Sequence, residues 1–143
     1  MNTNLDFCLA LHRANASLQL KLDDQLGLYH GVGFNDFVLL NLLAQADGSR
    51  IGIPELVRPL GQPQSSVLRK LILLEKIGLV VREGANGNRQ AVLRPAGRAL
   101  VNAARETADS ICTEAVASIA PAAVATVSAA LFTLARTPTL ELS

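Results

Sequence analysis

The sequence has no tryptophan, and aromatic side chains make up only 3% of its 143 residues. Charged residues are also scarce at 17%, against about a quarter in a typical soluble protein. Because half of the residues are apolar, the core must be built from Leu, Val, Ile and Ala, a mixture that favours packed helices over a β-sandwich. So much apolar surface and so little charge on a small chain predict a subunit interface, and therefore an oligomer.

Segments that would direct the chain out of the cytoplasm are missing. There is no apolar run long enough to span a membrane, and residues 1–6 do not begin a signal peptide. Cys8 and Cys112 are too few for a disulfide framework or a metal site. We therefore expect a cytoplasmic protein that binds no metal and no cofactor.

Residue patterns typical of enzymes are missing as well. No glycine-rich turn leads from a strand into a helix with a lysine, as a phosphate-binding loop requires. No serine lies in a nucleophile elbow, and the two histidines do not fall at metal-ligand spacing with the cysteines. Adjacent Asp23 and Asp24 would point apart on a helix, so they are expected to be solvated. We predict that the protein is not an enzyme.

The net charge of +1 conceals an uneven distribution along the chain. Between residues 49 and 98 there are nine basic and three acidic residues, whereas the remainder has four basic and nine acidic residues. A basic middle flanked by acidic ends suggests one module that faces a polyanion and another that does not. A clustered but merely solvated surface is the alternative that charge alone leaves open.

Apolar spacing and turn residues divide the chain into helices and one β-hairpin. Residues 84–88, with Asn-Gly at their centre, connect the two strands of the hairpin. Gly27 is expected to end the first helix, and Thr137-Pro138 the last. The predicted elements are a helix over 5–26, a loop over 28–33, a helix over 35–45, a short strand over 50–53, helices over 54–60 and 62–77, strands over 79–83 and 89–94, a long helix from 95 to about 120 and a final helix over 122–136.

A helix-turn-helix followed directly by a β-hairpin is a winged helix-turn-helix. The predicted fold class is therefore mainly α with a small β-hairpin, with helices at both ends of the chain that pack against a twin chain. We divide the chain into an N-terminal dimerisation helix over 1–30, a DNA-binding lobe over 31–97 and C-terminal dimerisation helices over 98–143.

Two stretches resemble the MarR family of bacterial transcription regulators. Residues 67–82, VLRKLILLEKIGLVVR, are similar to the family's recognition helix and its "LExxGLVxR" step into the wing. Residues 88–100, NRQAVLRPAGRAL, are similar to the "DRR…LTxxGRxL" of the wing and the start of the long helix. The resemblance implies a homodimeric, ligand-responsive repressor that binds double-stranded DNA at a pseudo-palindromic site with half-sites about 10 base pairs apart.

The same stretches depart from the family pattern at two places. The wing tip is Asn88-Arg89-Gln90 where the family usually has Asp-Arg-Arg, and the recognition helix has Leu68, Ile72 and Leu73 where polar residues are common. Either that helix lies deeper in the core or its outer face is unusually apolar. The departures favour a second hypothesis, a winged-helix protein-interaction module that has lost sequence-specific DNA binding.

The residues expected to bind DNA lie on the recognition helix and the wing. A helix N-terminus attracts phosphate, Arg69 suits bidentate contact with guanine, and Arg89 at the wing tip suits a narrow minor groove. For the serines, helix capping is the alternative role, and for Arg69 it is a surface pair with Glu75. The predicted DNA-binding residues are Gln62, Gln64, Ser65, Ser66, Arg69, Lys70, Arg82, Arg89 and Arg94.

The family resemblance also implies a small aromatic or anionic effector, bound between the dimerisation helices and the winged lobe. By position its candidate ligands are His12, Tyr29, His30, Phe34 and Phe37, although an apolar-face phenylalanine is more often a core residue. Some relatives sense oxidants through an early cysteine. Cys8 falls about a turn from that position, so we expect it to be a buried, inert thiol, with Cys112 in the core.

Overall fold

The computed structural model describes residues 3–136, which form six α-helices and a three-stranded antiparallel sheet. This is the winged-helix architecture that the sequence predicts. Thr137 and Pro138 lie outside the described residues. In chain order the elements are α1 (Asn4–His30), α2 (Phe34–Gln45), a 3₁₀ turn (Asp47–Ser49), β1 (Arg50–Gly52), α3 (Ile53–Leu60), α4 (Gln64–Lys76), β2 (Val80–Glu83), β3 (Gln90–Leu93), α5 (Pro95–Ala115) and α6 (Pro121–Ala135).

The sheet joins the wing to the helix-turn-helix formed by α3 and α4. Its strand order is β1-β3-β2, with Ile51 opposite Ala91 and Val80 opposite Leu93. The backbone N–H of Ile53, the first residue of α3, donates to the Arg89 carbonyl at 3.1 Å. The start of α3 and the base of the wing are therefore held by the same ladder.

The core lies inside the winged lobe and is entirely aliphatic apart from Phe37. Helix α2 crosses its centre, α4 and the sheet close one side, and the C-terminal half of α1 and the N-terminal half of α5 close the other. The side chains with the least exposure, each 2% or below, include Leu22, Leu26, Leu39, Leu40, Leu43, Leu56, Val67, Leu71, Val80 and Val101.

Helix α1 does not end at Gly27, as the sequence predicted, but continues to His30. The residue that ends it is Gly31, in the left-handed conformation at φ 71°, with its N–H donating to the Gly27 carbonyl. A helix ends where a residue takes up this conformation, and glycine does so without steric cost. The predicted loop over 28–33 is therefore wrong except for residues 31–33.

Helix α5 also differs from its prediction, because it ends at Ala115 rather than near Ala120. Pro121 cannot donate a hydrogen bond and disfavours a helical conformation in the residue before it. Ala120 is accordingly extended at ψ 137° and caps α6. Residues 116–120 form the turn between the two helices, so the break that Pro121 imposes begins a full turn earlier than the proline itself.

The terminal helices leave much of their apolar surface open in the single chain. No residue of α6 is buried, and Phe7, Leu9, Ile119 and Phe132 are each about half exposed or more. Helices α1 and α6 border an apolar groove of about 440 Å³ lined by Phe7, Leu11, Leu18, Val127 and Leu131. Within residues 3–136, none of the helices combines the length and apolarity that a bilayer span needs.

Both cysteines are exposed in the single chain, which corrects the expectation that Cys8 is buried and that Cys112 belongs to the core. The expectation failed because the helix faces that hold them have no covering element in this chain. Partial desolvation and the nearby Asp109 carboxylate raise the pKa of the Cys112 thiol. Its reactive thiolate is therefore scarcer at neutral pH than that of an ordinary cysteine.

Candidate nucleic-acid interface

The N-terminus of α4 is open to solvent. Pro63 is its N-cap residue, and no side chain caps the helix. Gln64 and Ser65 are exposed, whereas Ser66 and Gln62 are half-buried. Because the first N–H groups of a helix have no partner inside it, the start of α4 presents free donors and the positive end of the helix dipole to an approaching anion. The alternative role of the serines as side-chain caps is not observed.

The nine basic residues between residues 49 and 98 fall into two groups. Four have partners within the chain: Arg50 with Glu83 and Gln90, Lys70 with Asp36, Arg82 with Glu75, and Arg98 with Ser49. The other five are exposed and have no ion pair or side-chain hydrogen bond with residues 3–136. These five are Arg58, Arg69, Lys76, Arg89 and Arg94.

Arg69 lies one turn into α4 and is one of the five unpaired cations, so the suggested pair with Glu75 does not form. Glu75 is instead bound by Arg82. The Arg82 backbone N–H donates to Oε1 at 2.9 Å, while Nε and Nη2 donate to Oε2 at 3.1 and 3.0 Å. The backbone hydrogen bond from Arg82, together with the guanidinium, holds the pKa of the Glu75 carboxyl below its usual value. This pair fastens β2 to the end of α4.

The wing presents Arg89 at the end of its loop, beside the exposed Asn86 and Asn88. A cavity of about 300 Å³ separates the wing from the start of α4, and Gln64, Leu68, Asn86 and Arg89 are among its lining residues. Arg94 is exposed at the N-cap of α5, just beyond the hairpin. Arg89 and the open start of α4 thus lie on either side of one cavity, and Arg69 is exposed one turn further along α4.

The apolar residues of α4 do not all behave alike. Leu68 and Ile72 are half-buried, and Leu68 packs against the core, so they belong to a helix set deep in the lobe. Leu73 and Ile77 are 52% and 64% exposed and form a small apolar strip on the outer side. Both explanations offered by the sequence therefore apply. Leu68 and Ile72 belong to a helix set deep in the lobe, and Leu73 belongs to an apolar outer face.

The candidate effector residues do not gather in one place. His12 and Tyr29 are exposed on the same helix, 17 positions or about 25 Å apart. His30 is hydrogen-bonded to Thr107 of α5, with 2.7 Å between Nε2 and Oγ1. The Phe34 and Phe37 rings stack with centroids 6.3 Å apart, and Phe37 is buried in the core. Any shared site for these residues would need more than one chain.

The sequence reasoning missed Arg58 and Lys76 as available cations, although both were part of the basic count in the middle of the chain. It also missed Asp36, which forms an ion pair with Lys70. For Arg58 and Lys76, the basic charge of the residue is the only signal in the sequence that could have identified them. The contact between Asp36 and Lys70 spans 34 positions and leaves no local signature in the sequence.

No protein-family model matches the chain, and no curated protein matches it by sequence. Many solved structures that match it over most of its length are named MarR family transcriptional regulators, and the chain has their fold. One, from Streptomyces coelicolor and in complex with DNA, has a TM-score of 0.83 at 21% identity, covering 97% of this chain and 92% of its own.

Two further structures contain small ligands. CouR from Rhodococcus jostii, bound to p-coumaroyl-CoA, has a TM-score of 0.86 at 20% identity, covering 95% of this chain and 96% of its own. NadR in complex with 4-hydroxyphenylacetate has a TM-score of 0.79 at 18% identity, covering 96% of each chain. At these identities the likeness is one of fold.

Proposed function

We propose that the protein is a sequence-specific DNA-binding transcription regulator of the MarR family, without enzymatic activity, acting in the cytoplasm as a homodimer. The observation that carries this proposal is the uncapped start of α4, which lines one cavity with the unpaired Arg89 and is followed one turn later by the unpaired Arg69. A similar fold has been solved in complex with DNA. Cations that have no partner in the chain are the ones available to phosphates and base edges.

In the proposed complex α4 enters the major groove with its N-terminus foremost. Gln64 and Ser65 donate to base edges or phosphates, and Arg69 contacts guanine. Arg89 of the wing enters the minor groove, while Arg94 binds phosphate. Lys70 and Arg82, predicted from the sequence to contact DNA, already have carboxylate partners in the chain, and we assign them to holding α4 and the wing in place.

The dimer of the proposal is formed by α1, α5 and α6. Its support is the apolar surface that the single chain leaves open on α6 and on the N-terminal half of α1. The proposed division is the one expected from the sequence, with 1–30 and 98–143 for dimerisation and 31–97 for DNA. Two lobes related by a two-fold axis would read a pseudo-palindromic site with half-sites about 10 base pairs apart.

The effector of the proposal is a small aromatic anion that releases the dimer from DNA, which makes the protein a repressor. Two proteins of similar fold hold p-coumaroyl-CoA and 4-hydroxyphenylacetate. His12, Tyr29, His30 and Phe34 remain the proposed contacts, contributed by both chains of the dimer, whereas Phe37 is a core residue.

A second candidate function is a winged-helix module that binds protein instead of DNA. The exposed strip of Leu73 and Ile77 on α4 favours it, and the five unpaired cations favour the regulator. The two functions differ in salt dependence, because log affinity for DNA falls linearly with log salt concentration when phosphates are contacted.

The test is a titration by fluorescence anisotropy against duplexes that tile the DNA beside the protein's own gene, at two salt concentrations. We expect tight, salt-sensitive binding to one pseudo-palindromic duplex. Arg69→Ala should weaken that binding by about 1–3 kcal/mol and alter base preference at one position. Arg13→Ala is the matched control, since Arg13 is exposed on α1 outside the lobe. Equal, weak binding to every duplex, or an unchanged Arg69→Ala, would contradict the proposal.

A further inference from the structure

The junction between α1 and α2 holds a carboxylate that reaches the recognition helix. Asp36 is the third residue of α2, and its Oδ2 accepts the Gly33 backbone N–H at 3.1 Å. Its Oδ1 lies 2.7 Å from Nζ of Lys70 on α4. Asp23 of α1 completes the junction by accepting the Phe34 backbone N–H at 2.7 Å. Lys70 is thus tied to the point where the dimerisation helix meets the lobe.

The second oxygen of the Asp36 carboxylate, Oδ1, has the Lys70 ammonium as its charged partner. Oδ1 is closed off from solvent and forms no hydrogen bond within residues 3–136, so its close contact with the Lys70 ammonium is an ion pair. The two side chains are 19% and 38% exposed, respectively. A carboxylate oxygen left buried without a partner is strongly unfavourable, whereas a fully exposed ion pair contributes little. The pair is therefore a structural constraint on α4 and not a chance surface contact.

The buried Val67, Leu71 and Leu74 set the rotation of α4 about its own axis, and the ion pair of Lys70 adds a polar constraint on it. Neighbouring residues of an α-helix point about 100° apart, so the direction of Lys70 sets the direction of Arg69. With Lys70 directed to α2, Arg69 is exposed on the outer side of the helix. The other neighbours of α4 are α3 and β2, and the Asp36 pair is the polar link from α4 to α2 found among the described residues.

We propose that Asp36 and Lys70 form a positioning pair that aims the recognition helix, and that Lys70 does not contact phosphate. This inference rests on the proposed DNA-binding function and deepens it, because it makes an acidic residue of α2 necessary for binding a polyanion. Neutralising an acid near a DNA-binding surface ordinarily strengthens binding. If Asp36 positions the recognition helix, neutralising it should instead weaken DNA binding.

The experiment measures affinity and its salt dependence for Asp36→Asn, Lys70→Gln, the double variant and Lys70→Arg. The probe is a duplex that the wild-type protein selects from a random-sequence pool. Asp36→Asn and Lys70→Gln should each weaken binding by about tenfold, and the double variant by no more than about twofold further, because the two act as one unit. Lys70→Arg, which keeps the charge, should recover most of the affinity.

The salt slope separates positioning from phosphate contact. A lost phosphate contact lowers the slope of log affinity against log salt by about 0.9 per site. Lys70→Gln should leave the slope at its wild-type value, whereas Arg94→Gln should lower it. Tighter binding by Asp36→Asn, or a lower slope for Lys70→Gln, would overturn the positioning pair and make Lys70 a phosphate contact.

A measurement without DNA keeps this inference distinct from the proposed function. Amide hydrogen exchange in α4 should accelerate in Lys70→Gln and stay unchanged in Lys76→Gln, a matched loss of charge on the same helix at an exposed residue. If the wild type selects no duplex, the proposed function fails and exchange alone decides. Faster exchange confined to Lys70→Gln would then support the pair, and equal exchange in both variants would overturn it.

Discussion

The winged lobe and the terminal helices differ in how much of their apolar surface is buried, and how many of their charges are paired, within one chain. In the lobe, α2 contacts α1, α3, α5 and the sheet, and four of the basic residues between residues 49 and 98 have partners in the chain. In α6 no side chain is buried, and the groove between α1 and α6 is lined almost entirely by apolar groups. The core of the lobe is completed within one chain, with the C-terminal half of α1 and the N-terminal half of α5 packed into it, whereas α6 and the N-terminal half of α1 leave their apolar surface open.

This difference indicates where each kind of function lies. Under the proposed function, the lobe presents its unpaired cations to DNA. The terminal helices present apolar surface, which is the chemistry of a subunit interface. Four substitutions test this contrast, in order of decreasing expected effect.

Leu43→Ala in α2 should lower the free energy of unfolding by about 2–5 kcal/mol, because Leu43 is fully buried and its loss leaves a cavity. Leu20→Ala on α1 is the control, since Leu20 is 74% exposed, and it should change the free energy by less than about 0.5 kcal/mol. Urea unfolding at one fixed protein concentration measures both. Similar losses for the two variants would show that the lobe and the terminal helix do not differ as described.

Phe7→Asp should weaken dimerisation by about a hundredfold or more, which corresponds to about 2.8 kcal/mol. Phe7 lines the apolar groove beside α6, and a dimer would have to bury the new carboxylate there without a partner. Sedimentation velocity over a dilution series gives the dissociation constant. Leu73→Asp, at an exposed apolar residue of the lobe, should leave it unchanged. A Phe7→Asp variant that stays as dimeric as the wild type would place the interface elsewhere.

Gly97→Ala should destabilise the lobe by about 1–3 kcal/mol through overpacking. A Cβ at this position would lie 2.3 Å from the Leu79 carbonyl oxygen and 2.6 Å from Cδ1 of Leu93, so α5 would have to move off the sheet. Gly27→Ala is a control of opposite sign. It lies inside α1 with open space around it, and the change should stabilise by about 0.5–1 kcal/mol. Thermal unfolding measures both variants. Melting temperatures that shift in the same direction for Gly97→Ala and Gly27→Ala would contradict this packing.

Glu75→Gln should have the smallest effect, within about 1 kcal/mol, since the pair with Arg82 is partly solvated. Its pKa is lowered in the folded protein, so the charged form stabilises the fold above the ordinary glutamate pKa. That contribution is lost as the pH falls through the lowered, folded-state value. The stability difference between wild type and Glu75→Gln should therefore be largest near neutral pH and shrink in acid. A difference that is constant with pH would exclude the pair as its source.

Much of the fold could be predicted from the sequence because its boundaries are marked locally. The Asn86-Gly87 turn, Pro54 and Pro95 place the hairpin and the starts of two helices. The end of α1 could not be assigned, because Gly27, Gly31 and Gly33 are all capable of ending a helix and only tertiary packing selects Gly31. The exposure of Cys8 and Cys112 could not be predicted either, since an amphipathic pattern shows that a helix face is apolar, not that the same chain covers it.

The candidate site was predictable in residue type and less so in role. Arg69 and Arg89 remain predictions as DNA contacts, and their exposure agrees with that role. Lys70 and Arg82 carry the same charge and lie in the same basic stretch, yet each has a carboxylate partner. Arg82 meets Glu75 because β2 contacts the end of α4, and Lys70 meets Asp36 because the tertiary fold brings the start of α2 within reach of α4. Sequence gives the charge, and the tertiary fold decides whether it is already neutralised.

The length of α1 has a mechanical consequence. Its 27 residues make a rod of about 40 Å, with the groove-lining Phe7 near one end and the Asp23 contact with α2 in the other half. A tilt of about 5° at the apolar end moves the far end by about 3.5 Å, comparable to the rise of one base pair. In a dimer held at that end, a small change in the angle between subunits would be enough to move the two recognition helices out of register with successive grooves.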